Sequence, residues 1–116
     1  MTGRRADRVG EAVREVIAEL LLRDIKDPRI GMISLTTVDL SNDLRHAKVY
    51  FSCVGGVAAR QRSLSGLQSA AGFIKAQVTR RLGLRYAPNL TFVFDPTLET
   101  AERLANLLHE AHGKDH

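Results

Sequence analysis

The 116-residue chain predicts a two-layer α+β sandwich, with one three-stranded sheet covered by helices. Three observations carry this reading: an amphipathic run near the N-terminus, two β-branched stretches joined by a short polar turn, and a long helical stretch followed by a third β-rich segment. Residues 5 to 23 place Ala6, Val9, Val13, Val16, Ile17, Leu20 and Leu21 at helical spacing, while Asp7, Arg8, Glu11, Arg14 and Glu15 occupy other faces. "RDIKDPRIG" stops this first helix, because Pro28 lacks an amide hydrogen and biases Asp27 away from helical dihedrals. "MISLTTVDL" and "RHAKVYFSCV" flank Ser41-Asn42-Asp43 and read as an antiparallel hairpin, with Ala47, Val49, Phe51 and Cys53 on one face.

"GGVAA" then leads into a helical stretch with two apolar stripes, Leu64-Leu67-Ala71 and Ile74-Val78-Leu82, which meet at Ala70-Ala71-Gly72. Glycine is costly inside a helix, so the spacing predicts helix, kink, helix, with Gly72 removing a side chain where the two segments bend past each other. "YAPNL" punctuates and "LTFVFD" supplies the third strand. Asp95-Pro96 offers an N-cap and a first-turn proline for a short C-terminal helix to about residue 109, beyond which fraying is expected. The second and third strands are joined through helices, so at least one parallel pair is expected, and strand order stays open. The division expected is a binding domain over residues 1–96 and a short helix with a flexible tail over 97–116.

Hydrophobic content of 44% against 26% charged residues suits a soluble domain. No apolar run approaches the roughly 20 residues that span a bilayer. The opening Met1-Thr2-Gly3-Arg4-Arg5 leads into charge rather than into a signal-peptide core, so a cytoplasmic protein with no membrane contact is expected. A single cysteine, Cys53, excludes an internal disulfide. Charge is distributed unevenly: Leu44 to Phe94 contains eight basic residues and no Asp or Glu, while the flanks hold nine basic against 13 acidic residues. A solvated basic face explains part of this pattern, and a polyanion partner explains it better.

The candidate contact residues follow from that interval. Lys75, Arg80, Arg81 and Arg85 lie mainly off the Ile74-Val78-Leu82 stripe, with Arg45 and Lys48 on the second strand and Lys26 and Arg29 on the elbow as outer contacts. Aromatic residues are few, which predicts grip on backbone and shape rather than base stacking. Tyr86 is the best exposed aromatic candidate, though a core or loop-packing role is expected for it. Catalytic patterns are missing: there is no Gly-x-Ser-x-Gly elbow, phosphate loop or dinucleotide fingerprint. His109 and His112 are three apart with no third ligand, and His46 and Cys53 are seven apart on one strand and so fall on opposite faces. Neither an enzyme nor a metal or other cofactor is expected. Two other classes fit less well: a protein-interaction module meeting an acidic partner, and a hydrolase built on Asp24, Asp27 and Asp43.

"IKDPRIGMISLTTVDLSNDLRHAKVYFS" and "AAGFIKAQVTRRLGLRYAPNLTFVFDPTLE" closely resemble the ribosome-binding factor A family over about residues 5 to 108. The resemblance rests on Lys26-Asp27-Pro28-Arg29-Ile30-Gly31, Asp43-Leu44, Ala47-Lys48-Val49-Tyr50 and Ala70-x-Gly72. It implies a type II K-homology-like domain (α-β-β-α-kink-α-β) with a three-stranded mixed sheet, in which Ala-x-Gly replaces the usual Gly-x-x-Gly loop. It also implies a monomeric, non-catalytic factor that binds the immature 30S subunit and its 16S rRNA precursor, assists late maturation and RNA processing, and matters for growth in the cold. An assembly GTPase is the further partner it implies.

Overall fold

A computed structural model of the chain describes residues 4–96. Its elements are α1 (Arg4–Arg23), β1 (Ile33–Leu40), β2 (His46–Cys53), α2 (Val57–Leu82) and β3 (Asn89–Phe94). They form an α+β sandwich of two helices on a mixed sheet ordered β1-β2-β3. β1 runs antiparallel to β2, with a bulge between Leu35 and Thr37, and β3 runs parallel to β2 from His46↔Asn89 to Phe51↔Phe94. The hairpin and the parallel pair are therefore those the sequence predicts.

Alternation along β2 sets the layers. Ala47, Val49 and Phe51 are buried, whereas the alternate residues His46 and Lys48 are exposed. Against this inner face lie Val13, Val16, Ile17 and Leu20 of α1, Leu67, Ile74 and Val78 of α2, and Phe92 of β3, which together form the core. Phe51 meets Phe94 edge to face, with centroids 5.9 Å apart. Each fully buried side chain of this size contributes roughly 1.5–3 kcal/mol relative to exposure.

The expected break in the second helical stretch is absent. α2 is one helix of 26 residues that runs through Ala70-Ala71-Gly72. A Cβ added to Gly72 would meet nothing within 4 Å, so no neighbour requires a glycine there. Close approach occurs at two other glycines. At Gly66 a Cβ would lie 2.5 Å from Ile30 Cγ1, so the elbow after α1 docks directly on α2. At Gly10 it would lie 2.9 Å from the Val38 carbonyl oxygen, where α1 rests on the backbone of β1. Both contacts are tertiary, so helical spacing gives no sign of them. The short C-terminal helix expected after Pro96, and His109 and His112, lie outside the described residues.

Gly72→Ala should raise unfolding free energy by about 1 kcal/mol, the ordinary helix-propensity gain. Gly66→Val should lower it by roughly 1–3 kcal/mol through overpacking against Ile30. Gly10→Ala should also destabilise, because the Val38 carbonyl is backbone and cannot swing aside. Urea titration of the three variants checks the order.

Candidate nucleic-acid interface

Two backbone devices bring the basic residues of distant segments together. The first is the end of α2, where Gly83 adopts the left-handed conformation at φ 60° and its amide bonds to the Arg80 carbonyl, while the Leu84 amide bonds to that of Thr79. This cap stops the helix and sends Arg85 and Tyr86 back toward the sheet. The second is the β1–β2 turn. Asp43 accepts hydrogen bonds from the Ser41 hydroxyl and, at 3.0 Å, from the Arg45 amide, while Ser41 Oγ accepts from the His46 amide at 3.0 Å. Leu44 sits at φ 63°, a conformation unfavourable by roughly 1–2 kcal/mol for a residue with a side chain. The turn's hydrogen bonds hold it there, and the chain then delivers Arg45 to the start of β2.

These segments meet because the Asn89 amide donates to the Arg45 carbonyl at 2.8 Å, seating β3 beside β2. The Arg45 guanidinium carbon lies 4.1 Å from the Tyr86 ring centroid, and that of Arg85 lies 5.4 Å from it. Lys75 Nζ donates to Asn89 Oδ1 at 3.0 Å. Lys75, Arg85 and Arg45 thus share one surface with Tyr86 and Asn89. Lys48 is exposed on the outer face of β2, opposite Thr91 and Asp39 in the register, and Arg80 is exposed on α2, donating to Gln77 at 2.9 Å.

Two of the predicted contact residues are engaged elsewhere. Arg81 turns toward α1, 3.6 Å from Glu19 and 3.9 Å from Asp24. Arg29 is clasped by Asp27, whose carboxylate accepts from its amide at 2.9 Å, from Nε at 3.1 Å and from a terminal guanidinium nitrogen at 2.6 Å. Lys26 stands exposed on the same elbow. Among the described residues, Lys75, Arg80, Arg85, Arg45, Lys48 and Lys26 form no ion pair with a carboxylate. Arg60, also in the acid-free interval, lies with its guanidinium carbon 3.8 Å from the Phe94 ring centroid.

Two carboxyls, Asp27 and Asp43, titrate low. Asp27 is held below its ordinary value first by the side-chain hydrogen bond from Arg29 and then by the Arg29 amide. Asp43 is lowered first by the Ser41 hydroxyl and then by the Arg45 amide. The same clasp raises Arg29. Among the described residues, no group of three or more His, Cys, Asp or Glu side chains is arranged to hold a metal ion. No described helix is long and apolar enough to cross a membrane. His46 and Asn89 are the site residues that sequence reasoning missed, and Tyr86 was named only as an exposed aromatic candidate. The Arg85-Tyr86 adjacency was the available signal, and its pairing with Arg45 is visible only once β3 lies beside β2.

The ribosome-binding factor A family model matches residues 5–108. Ribosome-binding factor A of Desulforamulus reducens is 42% identical over 111 residues, covering 96% of this chain and 92% of that protein. The Geobacter metallireducens protein of the same name is 42% identical over 107 residues, covering 92% and 91%. A solution NMR structure of a Thermotoga maritima protein superposes with a TM-score of 0.70 at 28% identity, covering 80% of this chain and 89% of that one. A Thermus thermophilus ribosome-binding factor A homology model, fitted into the cryo-EM map of that factor's 30S complex, superposes with a TM-score of 0.65 at 23% identity, covering 78% and 96%.

Replacing Arg45 or Arg85 by Ala should weaken RNA binding and lower the log–log salt slope by about 0.7–0.9 per lost contact. Arg29→Ala and Arg81→Ala should leave that slope unchanged, because carboxylates already hold both groups. Filter binding at several salt concentrations distinguishes the two sets. For acid stability, a depressed folded pKa gives stabilisation that is full above the unfolded value, 3.8 for these aspartates, and is lost as pH falls through the lower folded value. Melting of Asp27→Asn and Asp43→Asn should therefore fall less than wild type on acidification to about pH 3, and all three should be flat in this respect between about pH 5 and 7.

Proposed function

Because the chain belongs to the ribosome-binding factor A family, we propose that it binds the immature 30S subunit and assists late maturation and processing of 16S rRNA as a non-catalytic RNA chaperone. The observation that carries this reading is the convergence of Arg45, Arg85 and Lys75 on one surface without a carboxylate partner among the described residues. Cations left in this state attract phosphate and release its counterions on binding. Lys48, Arg80 and Lys26 extend the positive field, and Arg81 and Arg29 take no direct part. The chain acts by holding one arrangement of the precursor RNA more tightly than its competitors, which shifts the population without making or breaking a covalent bond. It works as a monomer in the cytoplasm, and an assembly GTPase drives its release.

Binding should survive removal of most ribosomal proteins from immature subunits. With six phosphates neutralised, affinity should fall with salt at a log–log slope of about −4 to −5. Co-sedimentation across a salt series reads both quantities. A response flat in salt, or binding that disappears with the subunit proteins, points instead to an acidic protein partner.

A further inference from the structure

Electrostatic grip on phosphate does not account for Tyr86. The ring is 47% exposed, just past the capped end of α2, and two guanidinium groups lie against it. It borders an open cleft of about 420 Å³ lined by Arg45, His46, Tyr86, Ala87 and Asn89. One wall is flat and polarisable: the Arg45 guanidinium carbon is 4.1 Å from the Tyr86 centroid. Asn89 also lines the cleft, and its Oδ1 accepts from Lys75 Nζ. Its two Nδ2 hydrogens, and the second lone pair of Oδ1, remain to meet a ligand.

We propose that this cleft is a stacking site for one unpaired RNA base. The base lies against the Arg45–Tyr86 pair, Asn89 Nδ2 donates to a carbonyl or ring nitrogen on its edge, and Arg85 and Lys75 neutralise the adjoining phosphates. Aromatic rings and guanidinium planes are the two protein surfaces on which splayed bases stack, and a base inside a duplex cannot reach either. The site therefore selects single-stranded over paired RNA, a discrimination that charge and shape alone do not supply. The proposal rests on the RNA-binding reading above and refines it.

The test compares an unstructured eight-nucleotide RNA with an abasic oligonucleotide of the same length and charge. Wild type should bind the RNA roughly five- to a hundredfold more tightly than the abasic strand, the usual range for one stacked base. Tyr86→Leu should bind both strands equally, with an unchanged salt slope and an unchanged melting temperature, whereas Tyr86→Phe keeps the preference. Arg45→Lys keeps the charge but removes the plane, and should reduce the preference without changing the slope. Equal, salt-sensitive binding of both strands by wild type overturns the stacking site and leaves the electrostatic interface intact. So does a preference that persists in Tyr86→Leu. Binding of neither strand overturns the RNA-binding reading itself, and the stacking site with it.

Discussion

Parallel pairing of β3 with β2 governs the arrangement of this molecule. Parallel neighbours cannot be joined by a tight turn, so the chain must return across the sheet before it can start β3. α2 makes that return in 26 residues, about 39 Å at 1.5 Å per residue, which overshoots a strand of eight. The left-handed cap at Gly83 then reverses the chain and Asn89 docks on the Arg45 carbonyl. One topological requirement therefore brings residues 45, 75, 85, 86 and 89 together, although they span more than a third of the sequence.

The inner layer depends on the same pairing. With β2 central, its buried residues Ala47, Val49 and Phe51 are flanked on both sides, and each helix can cover part of the same strand face. Gly10 brings α1 onto β1, and Gly66 lets the Ile30 elbow close on α2. These contacts lock the elbow that carries Lys26 and Arg29 to the body of the domain. The positive groups are thus displayed on a packed frame.

Electrostatics divides the cations into two populations. Arg81 and Arg29 are met by carboxylates of α1 and its elbow, and such exposed pairs add little to stability. Their effect is to remove two charges from the outward field. The cations around Tyr86 belong to the interval without acidic residues: Arg45 and Arg85 lie against a ring and Lys75 against a carboxamide, and Asp43 meets Arg45 at its backbone amide rather than in an ion pair. Local sequence composition therefore matters most where the fold gathers residues from one acid-free interval, and least where that interval touches α1.

Period and punctuation alone determined the first helix, the helical stretch before the third strand, the hairpin, the three strands and the presence of a parallel pair, because amphipathic spacing and turn chemistry are local properties written in consecutive residues. The same text identified the basic interval and the family motifs. It could not single out Gly66 and Gly10, since a glycine inside a helix looks alike whether it faces open solvent or a neighbour, and only packing distinguishes those two from Gly72. It also could not separate Arg81 from Arg85, because which cation meets a carboxylate and which meets Tyr86 depends on residues far away in the chain. Those partners come within reach only when the sheet closes, so tertiary structure alone decided which of the predicted charges face outward.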